Sequence, residues 1–335
     1  MSATLSARRV LCAAAALLSA LTATAGLAQT KVAIGTAKDP NLAAEIAIAQ
    51  AKGYFKDAGL DASIQYFPSG GDLMAAFVGG SIQFGSAGST PVLILRSRPY
   101  PLVAVAQMSD ISGAQQLITK PSVQSLQDLK GKTIGLLAGT ASEAFFNAAI
   151  AEQGLAQSDF KIVNLGPAEM LQAFVRGDAD AVALWEPHTT RARAAGSGKT
   201  LVSGTHSYYG GKEKANRIYG DHALLFTTQA YLEKDPATVQ AVVKALARAA
   251  EFIDKEHDEA IRILAGQFSL TAEQMSDIAK VNAYTLRLDD TLAADLDKVA
   301  GFLQQHGKLK QIEPAADWID AGPLKAVDPD LVQLR

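Results

Sequence analysis

Residues 31–53 read Lys31-Val32-Ala33-Ile34-Gly35-Thr36-Ala37-Lys38-Asp39-Pro40-Asn41-Leu42-Ala43-Ala44-Glu45-Ile46-Ala47-Ile48-Ala49-Gln50-Ala51-Lys52-Gly53, and the fold follows from this stretch. Val32 and Ile34 alternate along a short strand that gives way at Gly35. Leu42, Ile46 and Ala49 then recur at helical spacing, which predicts a helix from about Asn41 ending near Gly53 and Gly59. Strand, polar glycine-containing turn, helix: the same unit recurs downstream. Ala62, Ile64 and Tyr66 alternate as a second strand, Pro68-Ser69-Gly70-Gly71 turns into a helix from Asp72, and Gly79-Gly80 ends it. Ile82 and Phe84 mark a third strand, and Gly85 to Pro91 leads into another helix. Strands separated by helices imply an α/β fold, with a mostly parallel sheet carrying helices on both faces.

The next part repeats the design. Lys132 to Leu137 is a strand, Gly139-Thr140-Ala141-Ser142 opens a helix, and Phe160 to Leu165 is a strand. A helix from Pro167 to Arg176 and a strand from Ala179 to Leu184 follow. Asp72-Leu73-Met74-Ala75-Ala76-Phe77-Val78-Gly79-Gly80 also lines up with Glu169-Met170-Leu171-Gln172-Ala173-Phe174-Val175-Arg176-Gly177. Helix-ending glycine is common, so any helix-glycine-strand unit shares some of this; two similar lobes is the economical reading. From about Asp235 the pattern predicts long helices without strands, near Asp235-Pro236, Asp258, Thr271 and Asp290, packed back on a lobe.

The first residues read as a targeting segment. Arg8 and Arg9 precede an apolar run, Val10 to Leu21, and Gly26-Leu27-Ala28 offers a small-residue cleavage site, so 1–28 is expected to be a signal peptide. Cys12, the chain's one cysteine, lies inside it. Without Arg8 and Arg9 the balance is 29 basic against 34 acidic residues, mildly acidic with the signs interspersed. There is no basic stripe, which argues against nucleic acid. No later apolar stretch approaches the roughly twenty residues of a membrane-spanning helix. The expectation is an exported, soluble, monomeric periplasmic protein without a membrane anchor. With 48% hydrophobic residues and no cysteine left to cross-link it, apolar packing has to stabilise the fold.

Three polar turns lie between a strand and a helix: Gly35 to Asn41, Gly85 to Pro91, and Gly139 to Glu143. The first N–H groups of a helix have no intrahelical partner, and ligands of open α/β sheets bind beyond the carboxyl ends of strands, where these turns fall. A helix N-terminus favours an anion by ~0.3–1 kcal/mol. Singly, each turn is ordinary capping by Ser89, Thr140 or Ser142; three in matching places favour a binding cleft. Trp185-Glu186-Pro187 follows the strand ending at Leu184. Trp185 is placed either to stack on a ligand or to fill the core. Glu186 is either an acceptor for a ligand ammonium or amide, or a first-turn acid. Lys38 and Asp39 read more simply as a solvated loop pair. His188, His206, His222, His257 and His306 are scattered without zinc-site pairing, and no nucleophile elbow or P-loop is present. No enzyme activity, metal or cofactor is expected.

Several motifs in order resemble one large family: Gly53-Tyr54-Phe55 with Gly59-Leu60, Phe67-Pro68-Ser69-Gly70-Gly71, Ser125-Leu126-Gln127-Asp128-Leu129-Lys130-Gly131-Lys132, Trp185-Glu186-Pro187 and Asp317-Trp318-Ile319-Asp320. Together they look like the sulfonate, taurine and nitrate type of periplasmic substrate-binding protein of ABC importers, over nearly the whole mature chain. The resemblance implies a two-lobe (type II) binding-protein fold with the ligand cleft between lobes. The chain would cross near Ser112 to Thr119 and near Asp221 to Thr227. Residues 30–112 with 226–335 would form lobe one, and 113–225, including both crossings, lobe two. Carried onto this sequence, the resemblance points to Thr36, Ser69, Gly88, Ser89, Thr90, Thr140, Ala141, Ser142 and Trp185, with Tyr219 and His222 beside the second crossing; the turn residues Lys38, Asn41, Gly139 and Glu186 complete the candidate set. It implies a small-molecule ligand, an inner-membrane permease as partner, and closure around the ligand. An organic sulfonate or taurine-like anion suits the small hydroxyl residues and Trp185, with nitrate, bicarbonate or a pyrimidine or other heterocycle as alternatives. Two other classes share the fold: a thiamine-pyrimidine synthase, whose cysteine-rich motif is absent here, and a ligand sensor for a membrane kinase.

Overall fold

The computed structural model describes residues 29–68 and 70–334; the expected signal peptide with Cys12, and the candidate Ser69, lie outside the described residues. Among the described residues, fourteen strands form two seven-stranded sheets. In chain order they are β1 (Thr30–Ala37), β2 (Leu60–Phe67), β3 (Phe84–Ala87), β4 (Leu102–Asp110), β5 (Gln116–Thr119), β6 (Thr133–Leu136), β7 (Lys161–Asn164), β8 (Ala181–Leu184), β9 (Lys199–Ser203), β10 (His206–Ser207), β11 (Lys214–Ala215), β12 (His222–Thr228), β13 (Ala283–Asp289) and β14 (Val332–Gln333). The first sheet runs β14-β13-β4-β12-β3-β1-β2 and the second β11-β10-β9-β5-β8-β6-β7.

Each sheet has a parallel half. β1 lies between β2 and β3, with Val32 opposite Ala62 and Ile34 opposite Phe84, and β6 lies between β7 and β8. These strands are linked by helices, the connection parallel pairing needs. The other half of each sheet is largely antiparallel, β13 and β14 alone pairing parallel there. β12 pairs antiparallel with both β3 and β4, and β5 with both β8 and β9. The sheets are therefore mixed, where the sequence pattern suggests mostly parallel ones, because β5 and β12 arrive from the opposite lobe and run against their neighbours.

Two further expectations are corrected. Residues 222–225, expected in the second lobe with a crossing at Asp221 to Thr227, lie instead in His222–Thr228, a central strand of the first sheet. Ala223, Leu224, Leu225 and Phe226 are fully buried there, so this apolar run is core and not a linker. Gly85 on β3 leaves room for the Phe226 ring, which a Cβ at that position would overlap, and Phe77 meets the same ring edge-on at 4.9 Å. The C-terminal part is also not purely helical. Tyr284, Leu286 and Leu288 alternate inward along β13, which pairs with β4. Thr285, Arg287 and Asp289 alternate with them, one short period-2 run between two helices.

Helix Pro40–Ala51 starts where Asp39 accepts from the Asn41 and Leu42 N–H groups and Pro40 takes the first turn. Ala43 to Ala49 are all buried, because helix Pro236–Lys255 covers the side of it that faces away from the sheet. That long helix is amphipathic, with Val239, Val242, Val243, Leu246 and Ile253 inward.

The chain passes between sheets at Asp110 to Gln116 and at Ala215 to His222. One polar network ties these crossings together. Ser112 Oγ donates to Asp110 Oδ1 at 2.6 Å and accepts from the Asp221 N–H at 2.9 Å. Arg217 pairs with Asp110 at 2.9 Å and with Asp295 of helix Asp290–Gln305, and His222 Nε2 lies 2.9 Å from Asp295 Oδ2. Burial alone would raise the Asp295 carboxyl, but His222 and Arg217 outweigh it and hold the group below the usual range. Gly220 is small because a Cβ there would strike Asp295.

Candidate functional site

The two halves meet over the carboxyl ends of β1, β3, β6 and β8, where the three polar turns lie. Their contact is direct. Asn41, 2% exposed at the start of helix Pro40–Ala51, donates through Nδ2 to the Glu186 carbonyl beyond β8 at 2.6 Å. Its Oδ1 accepts from Asn282 Nδ2 at 2.9 Å. Glu143 of helix Ala141–Glu152 pairs with Lys308, beyond helix Asp290–Gln305, at 3.1 Å. The halves are thus drawn together over the cleft.

The structure separates the candidate residues by what already holds them. Thr36 is fully buried and donates to the Leu42 carbonyl at 3.1 Å. Ser89 is equally buried, with its Oγ accepting from the His222 N–H at 3.0 Å. Thr90 Oγ1 sits 2.9 Å from the Tyr219 hydroxyl. Ser142 Oγ donates to the Ala183 carbonyl at 2.6 Å and accepts from the Leu137 N–H at 3.1 Å. Thr140 caps its helix by accepting from the Ser142 N–H at 3.2 Å, and Gly139, at φ 76°, donates to Glu143 Oε2 at 2.8 Å. These hydroxyls brace strand ends against helix starts. Ala141 and Gly88 are half-buried at the same helix starts, and Lys38 is exposed in the first turn.

Trp185 is half-buried with its ring edge-on to His188 at 5.9 Å. Burial, then Arg191, pushes the His188 imidazole down to about 4. Glu186 is 1% exposed and committed within its own half. Arg193 pairs with it at 3.0 Å and donates to Gln116 Oε1 at 2.6 Å, while Glu186 Oε2 accepts from the Thr190 N–H. His222 is held by Asp295, so it supports the crossing.

Sequence reasoning missed the acids. Asp39, read as one of a solvated pair, is 8% exposed and caps helix Pro40–Ala51; the Asp-Pro step is an N-cap signal that gave it away. Asp221 carries no sequence signal. It reaches across from the second crossing to take the Ser89 N–H at 3.0 Å and Gln115 Nε2 at 2.9 Å. Burial raises both carboxyls to about 6, and each helix N-terminus expected to greet an anion has an acceptor of the chain already seated on it. Among the described residues no group of three His, Cys, Asp or Glu side chains is placed to hold a metal ion.

Two sheets joined by two crossings, with polar turns facing each other across the junction, define a two-lobe α/β binding-protein architecture. The sequence profile described as NMT1/THI5 like matches residues 39–260, and the chain belongs to that family. It is 26% identical over 208 residues to a provisionally named aliphatic sulfonates-binding protein of Escherichia coli (strain K12), a match covering 62% of each chain, so the chain spans under two thirds of that relative. It is 29% identical over 141 residues to the taurine-binding periplasmic protein of the same organism, covering 42% of this chain and 44% of that one. In structure it resembles the periplasmic aliphatic sulphonate binding protein SsuA from Escherichia coli, with a TM-score of 0.74 and 21% identity, covering 87% of this chain and 97% of that one. That likeness shows the fold.

Proposed function

We propose that the protein is an exported periplasmic solute-binding protein that captures a small organic anion, sulfonate or taurine-like, between its lobes and delivers it to an inner-membrane ABC permease. The observation that carries this reading is the Asn41–Glu186 contact across the junction, in a member of a family whose relatives include named sulfonate and taurine binders. A side chain that links the lobes only when they are together is what ligand-driven closure requires. Trp185, beside that contact and half-buried, is the surface on which a small organic molecule rests its apolar part. The protein acts as a monomer without catalysis: the hydroxyls of Thr36, Ser89 and Ser142 are committed to backbone carbonyls and N–H groups.

The test is a thermal-shift screen of the signal-free protein against alkanesulfonates, taurine, nitrate, bicarbonate, phosphonates and pyrimidines. A ligand at a hundred times its dissociation constant adds about 2.7 kcal/mol. A shift confined to sulfonates or taurine supports the proposal. A shift confined to nitrate, bicarbonate or a pyrimidine replaces the ligand, and turnover of any panel member replaces binding with catalysis.

A further inference from the structure

The hydrogen bonds at the lobe junction fix the orientation of its amides, and with it the kind of ligand group the junction accepts. The Glu186 carbonyl can only accept, so the Asn41 atom 2.6 Å from it is the donor Nδ2. Asn41 then offers Oδ1 to its other partner, so Asn282 donates with Nδ2, at 2.9 Å to Asn41 and 3.1 Å to the Tyr284 hydroxyl. Asn282 Oδ1 is left buried with no hydrogen bond. The same logic applies at the second crossing. Gln115 donates Nε2 to the Asp221 carboxylate at 2.9 Å, and its Oε1 is left buried and unpaired, in a residue 3% exposed. Asp39 gives Oδ1 to two helix N–H groups, while its Oδ2 takes no hydrogen bond from a described residue.

These three unanswered atoms, Asn282 Oδ1, Gln115 Oε1 and Asp39 Oδ2, are acceptors. Asp221, whose two oxygens accept from the Ser89 N–H and Gln115 Nε2, disfavours ionisation of Asp39, and among the described residues neither carboxylate forms an ion pair with Lys or Arg. A buried acceptor without a donor costs roughly 1–3 kcal/mol, more if charged. What satisfies this surface is a group with several N–H donors and a positive charge. Resting on the solute-binding reading above, we propose that the ligand carries a protonated amine, received between Asp39 and Asp221 with Gln115 Oε1 and Asn282 Oδ1 as further acceptors. The amine-free anions, ethanesulfonate and nitrate among them, are then poor ligands, and the anionic or polar end of the true ligand points away from the acids.

The experiment is isothermal calorimetry at pH 7.5 with matched pairs that differ by the amine: taurine and ethanesulfonate, 3-aminopropanesulfonate and propanesulfonate, β-alanine and propionate. The expected result is that at least one amine-bearing member binds 30-fold or more tightly than its partner. The preference falls at least tenfold in Asp39→Asn and in Asp221→Asn, each checked by circular dichroism for native folding. Equal or tighter binding of the amine-free partners overturns the proposal while leaving the solute-binding reading intact. Absence of binding by every member of the panel overturns both. The comparison within wild-type pairs holds whether or not either variant folds.

Discussion

Asp221 is buried, 1% exposed, and its carboxyl is raised from the usual 3.8 to about 6 by that burial. An acid whose folded value lies above its unfolded one stabilises the fold at low pH and loses that contribution as the pH rises through the folded value. Between about pH 4 and pH 6, ionising Asp221 therefore costs on the order of 3 kcal/mol, reduced by whatever relaxation the site permits. Asp221→Asn keeps an oxygen for the Ser89 N–H now held at 3.0 Å and has no proton to lose. Its stability relative to the unsubstituted protein should rise by about 1–3 kcal/mol from pH 4.5 to pH 7.5. The charged and titratable groups around it are Asp39, Tyr219 and His222, with Tyr284 near Asp39 and Glu45 and Glu186 near Tyr284. Burial also moves Glu45 up to about 7 and His188 down to about 4, so both proteins titrate these groups and the difference reports Asp221 together with its coupling to Asp39. Urea unfolding at half-unit pH steps measures it. A difference that stays flat across the range would show that the Asp221 carboxylate is solvated or paired, and the reasoning about the cleft acids would fail with it.

Removing Asn41 as Asn41→Ala deletes the 2.6 Å bond to the Glu186 carbonyl and frees Asn282. At about 0.5–1.5 kcal/mol for the one bond that crosses the junction, closure should weaken roughly 2- to 13-fold; small-angle scattering should show a larger radius of gyration, and an unchanged radius would remove Asn41 from the closure contact. Trp185→Ala should weaken the best ligand of the thermal-shift screen at least tenfold without lowering the ligand-free melting temperature by more than about 3 °C; calorimetry decides, and unchanged affinity places Trp185 outside the site. Asp295→Ala leaves Arg217 with Asp110 alone and His222 Nε2 unpaired, and should destabilise the protein by about 1.5–3 kcal/mol in urea, whereas a loss under about 1 kcal/mol would show that the crossing network does not hold the lobes.

Much of the fold was legible because local signals agree. The strand at Val32 and Ile34, the helix Pro167–Arg176 and the long helix after Asp235-Pro236 all stand where periodicity and caps place them. β12 and β13 were not legible, since each is set by partners far away in sequence. Ala223 to Phe226 becomes central only when β3 and β4 close around it, and β13 depends on β4. At the junction, composition pointed to the turns, and the turns do gather there. Their hydroxyls, though, look alike in sequence whether they face a ligand or brace a strand end, and Ser142 and Thr36 brace. The acids escaped because burial decides their chemistry. Asp39 in a turn looks solvated until Asn41 draws the other lobe over it.

The central claim is that the lobes close around a captured molecule. Small-angle scattering of the signal-free protein, with and without the panel member that gives the largest thermal shift, tests it most directly. The account predicts a smaller radius of gyration with ligand, a contraction lost in Asn41→Ala. A radius that does not change on saturation would contradict it.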